Sequence, residues 1–171
     1  MARLRGAGQK NLWGEALAGS RLVDQGTGTL LTIYADTSFF VSLYLPDQHS
    51  RKALALLTPR PRLWLTPLHR AEWTHAIYQH LFRHEISSRE AQRVFRVFEQ
   101  DRKAGLWAEV SLPEPAFETC VDLARRHGAR LGFRTLDSLH VASALELKAQ
   151  QFWTFDDRQA KLAVAEGLGV V

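Results

Sequence analysis

From Leu30 onward, two kinds of apolar pattern take turns along the chain. Short, nearly unbroken apolar runs occur in "LLTIYAD", "RLWLTP", "LWAEV" and "QFWTFD". Runs of this length predict buried strands, and the closing "VV" predicts a short last one. Between them the spacing is helical. "TSFFVSLYL" predicts a helix stopped by Pro46, and "HSRKALALL" predicts a second. "LHRAEWTHAIYQHLFRH" predicts a longer helix that buries Leu68, Ala71, Ala76, Tyr78 and Leu81. "SSREAQRVFRVFEQDRKAG" opens on a capping box of Ser87 and Glu90 and ends at Gly105, with Val94, Phe95 and Phe98 as its apolar stripe. "PEPAFETCVDLARRHG" starts with prolines and is expected to stop at Gly128. "LDSLHVASALELKAQ" and "DRQAKLAVAEGLG" complete the helices.

Strands alternating with helices predict an α/β architecture, a parallel sheet covered on both faces. In open sheets of this kind the site lies outside the carboxyl ends of the strands. Two of the predicted strands deliver an acid there, Asp36 and Asp156.

Residues 1–28 break this rhythm. They are rich in Gly, Ala and Arg without a sustained amphipathic period, so we expect a flexible extension before a single domain over 29–171. A chain of 171 residues, 46% apolar and 23% charged, has the size and composition of one globular domain. No apolar run is long enough for a bilayer, and the N-terminus lacks the apolar block of a secretory signal. Cys120 is the only cysteine, which excludes an internal disulfide and a thiolate metal cluster. These features predict a cytoplasmic protein with no membrane association. A net charge of +4, from 22 basic and 18 acidic residues, permits a polyanionic partner without requiring one.

The acids change the picture when they are taken as a set. Glu72 falls in the first turns of the helix after the second strand, and Asp137 at the start of the "LDSLHVASAL" helix. Each acid has an ordinary reading alone. Asp137 can start its helix, Glu72 can lie on a solvated face, and Asp156 can serve a turn. Together, at one sheet edge, several carboxylates would repel and take up protons unless a cation joined them. Oxygen ligands without thiolates select Mg²⁺ or Mn²⁺. That combination suits in-line displacement at a phosphodiester, where a metal activates water and stabilises developing charge.

The order "IYADTS", "AEW", "RTLDSLHVASAL" and "TFDDR" resembles a PIN domain, in particular the VapC-type ribonuclease toxins of bacterial toxin–antitoxin pairs. The resemblance runs from about Thr32 to the C-terminus and leaves residues 1–28 outside. It implies a three-layer α/β/α fold around a central, mainly parallel sheet. It implies a divalent-metal-dependent endoribonuclease whose catalytic and metal-holding acids are Asp36, Glu72, Asp137 and Asp156. Ser38 and Thr154 would support the site through their hydroxyls. Asp157 could share the part of Asp156, although the "T-x-D-x-R" spacing of Thr154, Asp156 and Arg158 favours Asp156. The resemblance further implies an RNA substrate, a cognate antitoxin protein and a homodimer.

Arg134 and Arg158 are candidate phosphate contacts, each with a salt bridge to a neighbouring acid as the ordinary alternative. His140 lies three residues after Asp137, on about the same helix face. The ordinary expectation there is a core histidine bonded to a carbonyl, and the alternative is a role near the site. Trp64, Trp73 and Trp153 are expected in the core rather than stacked on bases. His75, His80 and His84 recur along one helix without an acid that would make a zinc arrangement. Two other readings compete: a PIN-like RNA- or protein-binding domain without catalysis, and a phosphatase using Asp36 as nucleophile. Ser38 stands where phosphatases of the haloacid dehalogenase type carry a second Asp, which counts against the latter.

Overall fold

The computed structural model describes residues 32–58 and 61–171. The expected extension over 1–28 lies outside the described residues. Twelve elements follow one another: β1 (Ile33–Ala35), α1 (Thr37–Tyr44), α2 (Ser50–Leu57), β2 (Trp64–Leu65), α3 (Pro67–Phe82), α4 (Ser88–Lys103), β3 (Ala108–Glu109), α5 (Ala116–Leu131), α6 (Thr135–Glu146), β4 (Gln151–Trp153), α7 (Asp157–Ala165) and β5 (Gly169–Val170). Every strand pairing is parallel. One ladder has the order β1-β4-β5, another joins β2 to β3, and an isolated parallel bridge from Ile33 to Leu63 links the two. The spatial order is therefore β3-β2-β1-β4-β5, with β1 in the centre. This is the three-layer α/β/α arrangement.

Side-chain alternation in the strands divides the core in two. Ile33 and Ala35 of β1 point into a cluster with Phe39, Phe40, Trp73, Ile77, Val94, Phe98 and Trp153. Tyr34, between them, points the other way and joins Leu123, Leu139, Val141, Phe152 and Leu162. The first cluster is covered by α1 to α4, and the second by α5, α6 and α7. Trp73 and Phe98 stack with centroids 4.1 Å apart, which clamps α3 to α4. Trp73 and Trp153 are buried as expected, while Trp64 is half-buried.

Three local expectations are corrected. The buried side of α3 is not Ala71 and Tyr78 but His69, Trp73 and Ile77, an i, i+4, i+8 row, and Tyr78 is 58% exposed. A histidine satisfied by hydrogen bonds can occupy a core row as well as an alanine, and the apolar pattern alone passed over it. The helix expected to stop at Gly128 continues to Leu131 and ends at Gly132, whose φ of 62° is the left-handed cap that glycine favours. The last acidic strand is shorter than the sequence pattern: β4 ends at Trp153, and Asp156 is the N-cap of α7. The Ser87–Glu90 capping box of α4 is present in both directions, at 3.2 Å and 2.8 Å. No helix among the described residues is long and apolar enough to cross a membrane.

Candidate active site

Asp36 follows β1 directly and caps α1, so the sheet and a helix both fix it. Its backbone N–H donates to the Trp153 carbonyl at 2.9 Å and extends the β1–β4 ladder by one step. Its carboxylate accepts from Ser38 Oγ at 2.6 Å, from the Phe39 N–H at 3.0 Å and from Thr154 Oγ1 at 2.7 Å. The side chain is fully buried and no cation pairs with it among the described residues. Burial pushes its carboxyl above the usual range, against the pull of the His140 imidazole and the two hydroxyls. Such a group gains from any cation that approaches it.

Thr154 carries the connection to the next acid. Its hydroxyl donates to Asp36 and accepts the Asp156 N–H at 2.9 Å. The Asp156 carboxylate caps α7 through the N–H groups of Arg158 and Gln159, at 2.8 Å and 3.1 Å. Ser38 Oγ also accepts the Phe155 N–H at 3.0 Å, so the turns after β1 and β4 are stitched together. Asp157 is exposed and takes no part in this stitching. Arg158 approaches Asp156 at 4.0 Å, the salt bridge of the ordinary reading.

Glu72 reaches the same corner from α3. Thr37, the neighbour of Asp36, donates to Glu72 Oε2 at 2.6 Å. The same oxygen meets His140 Nε2. His140 Nδ1 lies 2.9 Å from the Tyr34 hydroxyl, and Nε2 is 3.1 Å from Thr37 Oγ1. Burial raises the Glu72 carboxyl, but the His140 hydrogen bond and charge and the Thr37 hydroxyl outweigh it and hold the group below its ordinary value. Burial keeps the Tyr34 hydroxyl protonated far above the usual tyrosine range.

The expected carbonyl-bonded histidine exists, but it is His69. Its Nδ1 accepts the Thr66 N–H at 3.0 Å, so Nε2 carries the proton and donates to the Ala35 carbonyl at 2.7 Å. Burial first, then the nearby His140, pushes its pKa well below the usual histidine range. His140 instead bonds a carboxylate. Sequence reasoning passed over Thr37, Tyr34 and His69. Thr37 had a signal, since it stands inside the quoted "DTS".

Asp137 is placed differently. Its Oδ2 accepts the Arg134 N–H at 2.8 Å and closes a capping box at the start of α6. No hydrogen bond joins it to the other three acids. Arg134 is exposed, and its side chain forms no salt bridge among the described residues. His80 pairs with Glu85 at 2.5 Å rather than with His75 or His84. Among the described residues no three acidic, histidine or cysteine groups stand together as a closed metal cage. The donors available are hard carboxylate oxygens. That set fits Mg²⁺, which is commonly held by one or two carboxylates and keeps several waters.

A model of the PIN domain matches residues 33–165. Several solved structures share the fold. The chain is similar to VapC20 of Mycobacterium tuberculosis, described as a sarcin–ricin loop cleaving toxin, with 18% identity, a TM-score of 0.61 and coverage of 80% of this chain and 96% of that one. FitAcB of Neisseria gonorrhoeae gives 17% identity, a TM-score of 0.61 and coverage of 81% and 95%. VapBC2 of Rickettsia felis, bound to a DNA fragment from its promoter, gives 15%, 0.55, and 81% and 96%. At these identities the likeness is one of fold. No curated protein matches the sequence.

Proposed function

The chain belongs to the PIN-domain family, and on that premise we propose that it is a divalent-metal-dependent endoribonuclease, the toxin of a toxin–antitoxin pair. The observation that carries this reading is Asp36. It is a fully buried carboxylate with no salt bridge among the described residues, beyond the carboxyl end of the central strand. Thr154 connects it to Asp156, and its neighbour Thr37 connects it to Glu72.

In this reading Asp36, Glu72, Asp137 and Asp156 hold Mg²⁺ or Mn²⁺, with Ser38 and Thr154 fixing Asp36. The ion, when bound, lowers the pKa of a water and offsets charge on the cleaved phosphate. The residues of the chain do the rest. Ser38 and Thr154 orient both oxygens of Asp36, so little reorganisation accompanies the reaction. His140 and Thr37 hold Glu72 ionised. Arg134, exposed beside Asp137, and Arg158, beside Asp156, contact substrate phosphates. The partners are RNA, a cognate antitoxin that covers the acidic pocket, and a second copy of the chain, in the cytoplasm. A structure of this fold described as a toxin–antitoxin complex from Klebsiella pneumoniae supports the antitoxin.

One observation favours a second reading, a PIN-like binding domain without catalysis: the acids do not stand as a closed cage. Cleavage of total cellular RNA by purified protein with Mg²⁺ or Mn²⁺, beside Asp137→Asn, separates the two. Asn keeps the acceptor for the Arg134 N–H and removes one charge. Discrete cleavage by the wild type, lost in the folded variant, supports the nuclease. No cleavage by either, with no metal binding, supports the second reading.

A further inference from the structure

The outer face of α4 carries Arg89, Arg93, Arg96, Gln100 and Lys103, all exposed. At about 100° per residue these positions fall within an arc of roughly 80°. They lie opposite Ala91, Val94 and Phe98, which anchor the helix. None of the four cations is in a salt bridge among the described residues, and the acids of the helix are engaged elsewhere. Glu90 is spent on the Ser87 cap. Glu99 pairs with Arg102 at 2.6 Å. Asp101 accepts the Tyr44 hydroxyl at 2.7 Å. Apart from the attraction between Arg93 and Glu90, the charge of the stripe is therefore not neutralised along the helix.

We propose that this face of α4 is a docking track for the phosphate backbone of RNA, a proposal that rests on the nuclease reading. From Arg89 to Lys103 the stripe runs about 21 Å at 1.5 Å per residue, long enough to meet several successive phosphates. Arginine forks suit phosphate oxygens. The arc holds no apolar side chain, whereas a protein partner would be expected to find an apolar anchor at the centre of its interface. The Trp73–Phe98 stack sets the C-terminal half of α4 beside the N-terminal half of α3, which bears Glu72. Of the two ends of the stripe, the Lys103 end is thus the one on the Glu72 side of α3.

The test is fluorescence anisotropy of a labelled oligouridylate with the full chain in EDTA, so that binding is read without cleavage. The triple variant R89Q/R93Q/R96Q is compared with R125Q/R126Q/R130Q, which removes the same charge from α5. The first is expected to weaken binding at least about tenfold and to lower the slope of log K against log salt by about 2. The second is expected to leave that slope near the wild-type value. Equal loss in both variants, or wild-type affinity and slope in the α4 variant, overturns the proposal. So does an α4 variant that keeps RNA but loses binding to polyglutamate, which would assign the face to an acidic protein partner. If the wild type cleaves RNA and the α4 variant binds and cleaves alike, the track alone falls. If the wild type neither binds nor cleaves RNA, the nuclease reading falls with it.

Discussion

His140 and Glu72 lie 68 residues apart, yet the imidazole Nε2 of one meets the carboxylate Oε2 of the other inside the fold. Tyr34 holds the far side of the ring at 2.9 Å. The carboxylate that α3 offers to the site is therefore oriented from α6. We expect His140→Ala to lower RNA cleavage by about 10- to 100-fold, the usual scale for losing a group that orients a metal-binding side chain. His140→Gln, which can still donate to Glu72, should recover a measurable part. Wild-type activity in both variants, at matched folding, would remove His140 from the site.

Asp36 sets function against stability. Its raised pKa means that the metal-free fold binds the proton more tightly than the unfolded chain does. The sign follows: stability falls as pH rises above the ordinary Asp value of about 3.9 towards the folded pKa. Asp36→Asn removes the buried charge while its amide oxygen still caps α1. We expect the variant to lose cleavage and, in EDTA at alkaline pH, to melt no lower than the wild type. A melting temperature several degrees lower would show that the ionised carboxylate supports the fold.

Glu90 has the opposite sign. Hydrogen bonds to the Ser87 backbone and hydroxyl lower its pKa in the folded state. Its contribution is present above the ordinary Glu range and fades as pH falls through the folded value. Glu90→Gln should therefore cost stability at neutral pH, with the difference from wild type closing in acid. Thermal melts across pH 3–7 check this, and a constant difference would rule it out. Ser87→Ala should cost about 1 kcal/mol.

Phe152 is fully buried on β4 and stacks on Tyr34 at 5.8 Å. Phe152→Ala should destabilise by about 3–5 kcal/mol, measured by urea unfolding. Because Tyr34 also holds His140, activity should fall before global unfolding does.

The strand–helix alternation was legible because each core strand is a dense apolar run and each helix carries its own caps. Ser87 and Glu90 behave as the spacing predicts. The acids at Asp36 and Asp156 were legible because a carboxylate beside an apolar strand is conspicuous. The links between them were not. Thr37, Thr154 and His140 act through contacts across 35 to 118 residues of sequence, and nothing local announces such contacts. His69 was missed for a related reason. Its burial depends on a carbonyl from β1 that spacing along α3 cannot reveal. Gly128 misled because glycine is tolerated inside a helix, and of the two glycines near the end of α5 it is Gly132 that has the positive φ of a cap.

Asp36 and Asp156 each start a helix as well as offering a carboxylate. This double duty restricts the routes by which descendants of the chain can be disarmed. Replacement by alanine would take away charge and helix start at once, and so would tend to cost the fold. Asparagine or serine would silence the chemistry and leave both helices seated. Inactive relatives that keep this architecture should therefore carry short polar caps at these two positions, whereas at Glu72, which caps nothing, what is asked of a replacement is an acceptor for His140 and Thr37.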